Sequence, residues 1–167
     1  MIDDAAAPAD QQGSSRDGPC TLRRATLADR DAVVALVFET LRSFGIEPEP
    51  EGIDADAMQF GVQGDARLSE FVAEISGTLV GSIALRDRGD CTGHISKLFV
   101  DARARGHGIG KRLLNIAVAD ARRRKLRQLD LETRGELKAA IHLYESTGWV
   151  RGPDPNNVCD RSYLLRL

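Results

Sequence analysis

The feature that most constrains the fold is a glycine-rich segment set between a strand pattern and a helix pattern. Residues 105–114 read RGHGIGKRLL, with three alternating glycines before a Lys–Arg pair and an apolar run. The strand pattern HISKLFVD comes before it, and a helical period leads from it to the strand pattern QLDLET. Glycines let a backbone approach a ligand closely, and the open N–H groups of a helix N-terminus bind anions. This segment therefore predicts a phosphate-binding strand–loop–helix–strand unit.

The distribution of charge also favours a small anionic ligand at this segment. The whole chain has a formal net charge of −2, which disfavours general binding to polyanions. Residues 101–127, however, contain nine Lys/Arg against two Asp, so this segment carries +7 and the rest of the chain −9. A local positive field of this kind attracts small anions.

The remaining sequence is typical of one domain. A chain of 167 residues suits a single hydrophobic core. Residues 1–19 are small and polar without a hydrophobic period, so we expect a disordered tail before a single domain over 20–167. The order of elements predicts an α/β fold with a mixed sheet and helices on both faces. We predict strands at 20–26, 70–76, 79–87, 94–101 and 128–133, helices at 27–43, 108–125 and 137–147, and two last strands in WVRGP and RSYLLRL.

The cysteines and the apolar segments predict a cytoplasmic protein. Cys20, Cys91 and Cys159 are odd in number and lack a framework spacing, which is typical of a reducing compartment. No stretch approaches the roughly 18 apolar residues of a membrane span, and the N-terminus lacks a basic region followed by an apolar one. The pair formed by Cys91 and His94 has no second pair of ligands, so we expect no metal.

Three phosphate-binding designs compete for the glycine loop. A nucleotide P-loop would need a glycine at Arg105 and a hydroxyl at Arg112, so it does not fit. A dinucleotide fingerprint would put its third glycine at Lys111 or Leu113, and it belongs early in a chain, whereas this loop lies past the middle. The third design, [RQ]-x-x-G-x-[GA], matches residues 105–110.

With this match the chain resembles the GNAT superfamily of acyl-CoA-dependent N-acetyltransferases. The run from KLFVD to LDLET is similar to the family's strand, pyrophosphate loop, helix and strand, and LKAAIHLYESTGWV is similar to the helix that follows. The resemblance extends over about residues 20–167 and is strongest over 94–150. It implies the GNAT fold, a mostly antiparallel sheet of about seven strands that is splayed between strands 4 and 5.

The resemblance implies acetyl-CoA as the acyl donor, and it assigns the residues that would bind it. Main-chain groups near Leu98, Phe99 and Val100 would hydrogen-bond the pantetheine arm, and one of those N–H groups would face the thioester oxygen. Many members have an asparagine where this chain has Leu137; a subset with a Leu-x-x-Ala pattern shares the departure, and Thr133 is a candidate substitute. The diphosphate would contact Arg105, Gly106, His107, Gly108, Ile109, Gly110 and Lys111.

Two side chains are the candidates for catalysis. Tyr144 matches the family tyrosine whose hydroxyl lies near the CoA sulfur and acts as general acid; a core tyrosine bonded to a backbone carbonyl is the alternative. His94 stands where relatives often carry a glutamate, and a histidine can accept a proton near neutral pH, directly or through water. A purely structural histidine is equally compatible with the sequence, and Glu70, Glu74 and Glu132 are substitute bases.

The resemblance implies direct transfer of an acetyl group to a primary amine of a small molecule or peptide, without a covalent enzyme intermediate. A non-catalytic acyl-CoA sensor would share the fold and the loop, and it stays an alternative. The acidic loop over 45–56 would favour a cationic amine if it borders the acceptor, although a solvated loop is the commoner explanation. The basic run ARRRKLR lacks interleaved aromatics, so we expect neither a nucleic-acid nor a membrane partner; a homodimer is an open option.

Overall fold

A computed structural model describes residues 18–155 and 158–167. The predicted tail over 1–19 lies outside the described residues except for Gly18 and Pro19. The strands are β1 (Cys20–Arg24), β2 (Leu68–Ile75), β3 (Thr78–Gly89), β4 (Thr92–Val100), β5 (Gln128–Thr133), β6 (Val150–Arg151) and β7 (Arg161–Arg166). The helices are α1 (Arg30–Ser43), α2 (Ile109–Arg123) and α3 (Lys138–Ser146), with short 3-10 turns at Leu27–Asp29, Ala57–Gln59 and Ala102–Ala104. Within the described part, no helix combines the length and the apolar character needed to cross a membrane.

The strands form one seven-stranded sheet, which confirms the predicted fold class. Their order is β1-β2-β3-β4-β5-β7-β6, and every neighbouring pair is antiparallel except β4 and β5. Parallel neighbours need a long crossover connection, and α2 supplies it between these two strands. The glycine loop therefore lies where the chain leaves β4 for the crossover helix.

The splay predicted between strands 4 and 5 is present. The ladder that joins β4 to β5 ends at the pair Ile95–Leu131, although β4 continues to Val100. The next part of β4 also departs from regular geometry, since Lys97 has a positive φ of 52° and the register with β3 shifts opposite it. The hydroxyl of Ser82 on β3 donates to the carbonyl of Lys97 at 2.9 Å. The bulge thus lies at the point where the two strands separate.

Helices cover both faces of the sheet, as predicted. Alternation along β2 sends Phe71, Ala73 and Ile75 into a core with α2, whereas Val72 packs with α1 on the opposite face. On the sheet-facing side of α2, Leu113 and Ala117 are fully buried. Alternate residues of one strand therefore hold the two layers of helices on the sheet.

Arginines at the C-terminal end of α2 form ion pairs with a buried carboxylate. Asp120 is 5% exposed, and it accepts hydrogen bonds from Ser69 at 2.6 Å and from Arg124 at 2.9 Å. Arg123 and Arg24 also form ion pairs with it. Burial acts to raise the pKa of Asp120, but these hydrogen bonds and charges leave it below its ordinary value. Part of the basic run therefore stabilises the fold instead of forming an open cationic surface.

An ion-pair cluster joins the start of α1 to the first two strands. Arg23 donates to both carboxylate oxygens of Asp29, at 2.8 and 2.7 Å, and to Glu74 at 2.5 Å. Asp29 also accepts from the amide of Thr26 at 2.7 Å, which forms the capping arrangement in front of α1. The hydrogen bonds from Arg23 lower the pKa of Asp29 to about 2.

We expect Gly61→Ala to be strongly destabilising, because a Cβ at this position would lie 2.0 Å from the carbonyl oxygen of Thr26. Gly45→Ala is a matched control, since Gly45 has a similar positive φ but open space around it. Chemical denaturation should show a loss of about 1 kcal/mol for the control, from backbone conformation alone. The loss for Gly61→Ala should be about 3 kcal/mol or more. Equal losses would contradict the proposed clash.

Asp29→Asn should lower the free energy of unfolding at neutral pH and have little effect in acid. The folded-state pKa of Asp29 lies below its ordinary value of 3.8, so its contribution is present above that value and is lost as the pH falls toward 2. Urea denaturation at about pH 7 should therefore show a loss of about 1–3 kcal/mol that narrows by about pH 3. Asp31→Asn, at a side chain that is 92% exposed, should change little at either pH.

Candidate active site

The loop between β4 and α2 presents open main-chain amides. Gly106 and Gly108 have φ values of 82° and 72°, in the left-handed region that favours glycine, and α2 begins at Ile109. None of the amides of residues 106–111 has a hydrogen-bond partner among the described residues. Because a helix N-terminus also carries about half a positive charge, this arrangement can bind an anionic group.

Arg105 fixes the loop to the end of β4. Its Nε donates to the carbonyl of Val100 at 3.0 Å, and its guanidinium carbon lies 5.7 Å from the centroid of the Phe44 ring. Lys111, in the first turn of α2, has no ion-pair or hydrogen-bond partner among the described residues. The loop therefore combines a held cation with one available for a ligand.

A cavity of about 360 Å³ opens beside this loop. Its walls come from the end of β4, the glycine loop, the end of α1 and one side of α3. Nine of the eleven predicted cofactor-binding residues line it, and the exceptions are His107 and Thr133. The nine are Leu98, Phe99, Val100, Arg105, Gly106, Gly108, Ile109, Gly110 and Lys111.

The two exceptions lie in different places. His107 is exposed, and its Nδ1 lies 2.9 Å from the carbonyl oxygen of Arg105, so its side chain is held against the loop outside the cavity. Thr133 is 5% exposed and lines a second, smaller cavity. The sequence pattern could not separate His107 from its neighbours, because it does not give the direction of a side chain within the loop.

The second cavity adjoins the first and contains the candidate catalytic residues. Its volume is about 170 Å³, and Tyr144, His94, Glu132 and Thr133 all line it. Four residues line both cavities. These shared wall residues are Leu98, Phe99, Leu137 and Ala140. The structure thus brings the loop, the splayed part of β4 and both candidate catalytic side chains into one cleft.

Tyr144 lies at the inner side of α3. It is 5% exposed, and its ring packs at centroid distances of 6.0 Å from Trp149 and 5.7 Å from Tyr163. Burial raises the pKa of Tyr144 well above its ordinary value, so the phenol stays protonated. No described residue forms a hydrogen bond with its hydroxyl, in contrast to the alternative of a core tyrosine bonded to a backbone carbonyl.

His94 contacts a carboxylate that no local sequence pattern indicated. Its Nδ1 lies 2.5 Å from Oδ1 of Asp130, the residue opposite it in the β4–β5 ladder. Arg88 donates to the other oxygen of Asp130 at 2.7 Å. When Nδ1 donates to Asp130, Nε2 is the ring atom that can accept a proton. Only the strand register could have revealed this pair.

Lys97 is a second residue of this cavity that no local sequence pattern indicated. Its side chain is 9% exposed, and its ammonium lies 2.8 Å from Asp56 and 3.4 Å from Asp54. All three line the second cavity, so the acidic loop reaches the site only through its last part. The remaining acidic residues of that loop are exposed and line neither cavity: Glu47, Glu49 and Glu51.

The substitute bases on β2 lie away from this cleft. Glu70 lines a separate cavity of about 300 Å³ and accepts a hydrogen bond from the amide of Gly61 at 2.7 Å; burial raises its pKa. Glu74 forms the ion pair with Arg23. Cys91 is exposed, and no group of three potential metal ligands occurs among residues 18–155 and 158–167.

Two relatives that are similar in sequence to this chain are both named as acetyltransferases. An IAA acetyltransferase of Azospirillum brasilense is 37% identical over 127 residues, 74% of this chain and 81% of that protein. A 59-residue stretch, 35% of this chain, is 42% identical to N-alpha-acetyltransferase 30 of Saccharomyces cerevisiae, but it spans only 34% of that protein.

Solved structures share the fold at low sequence identity. An acetyltransferase of the GNAT family from Staphylococcus aureus superposes with a TM-score of 0.78 at 17% identity, covering 89% of this chain and 99% of that one. PaiA N-acetyltransferase of Thermoplasma acidophilum, in complex with coenzyme A, gives a TM-score of 0.72 at 15% identity over the same shares.

The family comparison covers the elements that build the cleft. The sequence model described as Acetyltransferase (GNAT) family matches residues 34–149, which run from within α1 to the residue before β6. This stretch is more than half of the chain and includes β4, the glycine loop, α2, β5 and α3. The chain therefore belongs to the GNAT acetyltransferase family.

Proposed function

We propose that this protein transfers an acetyl group from acetyl-CoA directly to a primary amine of a small molecule or peptide. The observation that carries this proposal is the pair of adjoining cavities, one beside an anion-binding loop and the other beside Tyr144 and His94. Family membership and a CoA-bound structural neighbour support the same donor. The catalytic unit is the single domain over 20–167, and three cysteines without a framework spacing support a reducing, cytoplasmic location.

The donor would occupy the first cavity. The open amides of residues 106–111 and the ammonium of Lys111 are complementary to a diphosphate. Beyond Ile95, the edge of β4 that faces away from β3 has no neighbouring strand, so main-chain groups near Leu98 and Val100 can hydrogen-bond the pantetheine arm. An amide in this stretch would also stabilise the charge that develops on the thioester oxygen.

Tyr144 is proposed as the general acid. The leaving thiolate needs a proton, and a phenol whose pKa is raised by burial keeps its proton until a basic group approaches. The second cavity also contains Cys159, whose pKa burial raises. A protonated thiol is a weak nucleophile, which supports direct transfer to the amine without an acyl-cysteine intermediate.

His94 is proposed as the general base, and Asp130 as the residue that positions it. The attacking amine must lose a proton, and Nε2 of a neutral imidazole can accept it when Nδ1 donates to a carboxylate. The contact between His94 and Asp130, at 2.5 Å, favours this tautomer. Glu132 lines the same cavity and is the remaining substitute base. The presence of both an acid and a base favours an enzyme over an acyl-CoA sensor.

Release of free CoA thiol with a panel of primary amines, together with calorimetry on acetyl-CoA, tests the proposed reaction. Tyr144→Phe should lower kcat by about 10- to 1000-fold and leave the affinity for acetyl-CoA unchanged, because only proton donation is lost. Glu145→Gln is a control at the next residue of α3, since Glu145 accepts from Tyr163 and lines neither cavity. No heat with acetyl-CoA would overturn the proposal, and binding without turnover for any amine would indicate a sensor.

His94→Gln should lower kcat by about 100-fold or more, because no ring nitrogen remains to accept the proton. Asp130→Asn should have a smaller effect, about 10-fold or more in kcat, with an unchanged KM for acetyl-CoA. Nitrogen NMR of the His94 ring should show the proton on Nδ1 in the wild type and its partial transfer to Nε2 in Asp130→Asn. Full activity of Asp130→Asn beside an impaired His94→Gln would remove the positioning role.

A further inference from the structure

One charged side chain in the second cavity has no hydrogen-bond or ion-pair partner in the part of the chain that the structure describes. The charged residues that line this cavity are otherwise engaged: Lys97 pairs with Asp54 and Asp56, and His94 contacts Asp130. Glu132 has an interaction of its own. The guanidinium of Arg134, which directly follows β5, forms no hydrogen bond or ion pair with any residue in the described ranges. The residue is half-buried.

A second arginine near the end of β5 has a buried side-chain nitrogen without a hydrogen-bond partner among the described residues. Arg161 pairs with Thr133 in the β5–β7 ladder, and its Nε is the one buried side-chain polar atom of the described chain without a hydrogen-bond partner. A Cβ built on Gly135 would lie 3.2 Å from that Nε. The nearby carboxylate of Asp160 accepts a hydrogen bond from the amide of Gly135 at 2.7 Å. It forms no ion pair with either arginine. Two arginines without an ion pair among the described residues therefore stand near each other in the strand register, Arg134 directly after β5 and Arg161 at the start of β7.

On the basis of the proposed acetyltransferase function, we propose that the acceptor is a small amine that also carries a carboxylate, which binds to Arg134. A guanidinium offers a planar pair of donors that fits a carboxylate, and the guanidinium of Arg134 lines the cavity without an ion pair among the described residues. The volume of about 170 Å³ is below that of pockets for drug-sized ligands, which favours an amino acid or a short ω-amino acid.

The chemistry of transfer is compatible with such an acceptor. With its carboxylate at Arg134, beyond the end of β5, the ligand would extend through the same cavity that His94 and Tyr144 line. Its ammonium would lose one proton to His94, and the free amine would attack the thioester carbon. The new amide bond replaces the carbon–sulfur bond, the thiolate takes a proton from Tyr144, and the second proton that the nitrogen loses returns to the Tyr144 phenolate.

Matched acceptors test the inference. Glycine, β-alanine and 4-aminobutanoate are each compared with their primary amides, and kcat/KM is measured by thiol release for the wild type and Arg134→Gln. The substitution should lower kcat/KM about 10- to 100-fold for the preferred amino acid and leave its amide within about twofold. An amide alters the basicity of its own amine, so the comparison that decides is wild type against variant for each acceptor.

Control variants separate a local effect from a general one. Arg122→Gln removes an exposed arginine that lines neither cavity and should leave both acceptors unchanged. Arg134→Lys should retain part of the preference because it keeps the charge but loses the planar fork. Thermal unfolding and acetyl-CoA calorimetry should be unchanged in Arg134→Gln.

The outcomes distinguish this inference from the function on which it rests. Equal losses for amino acids and amides in Arg134→Gln would overturn the carboxylate site, as would efficient acetylation only of amines that lack an anionic group. In both cases the acetyltransferase function would survive. Absence of thiol release with every amine, in a protein that binds acetyl-CoA, would instead contradict the proposed function, and the inference would fall with it.

Discussion

The separation of two parallel strands is the constraint on which the cleft depends. As long as β4 and β5 pair, their backbone groups satisfy each other, but the ladder ends at Ile95 and Leu131. Beyond that point one edge of β4 lacks a neighbouring strand, and buried backbone groups must find other partners. The positive φ of Lys97 turns the strand at this position. A gap therefore opens inside a continuous sheet, where β3 pairs with β4 on one side and β7 pairs with β5 on the other.

The crossover helix uses the same topology for a second purpose. Because β4 and β5 run parallel, the chain must return across the sheet, and the start of α2 lies beside the opening. Glycines at 106 and 108 turn the loop so that its amides stay open, and Arg105 secures it to the last residue of β4. The end of β4 thus provides an unpaired strand edge, and the connection that follows it provides the open amides beside the gap.

Local patterns in the sequence were sufficient to predict strands and helices but not the contacts between distant side chains. The predicted strand over 128–133 coincides with β5, and the predicted helix over 108–125 contains α2, because periodicity depends only on near neighbours. The family resemblance identified nine residues that line one cavity. It missed the contact of Asp130 with His94, which depends on strand register, and that of Lys97 with Asp54, which joins positions 43 residues apart. Such long-range contacts leave no local trace in a single sequence.

The wall that the two cavities share has a consequence for the size of the transferred group. Leu98, Phe99, Leu137 and Ala140 line both spaces, so an acyl chain longer than acetyl would extend from the proposed donor site into the room left for the acceptor. Each added methylene would therefore compete sterically with the nucleophile. In this architecture, tolerance of bulkier acyl groups and tolerance of bulkier acceptors are opposed, and substitution of one wall residue would shift both together.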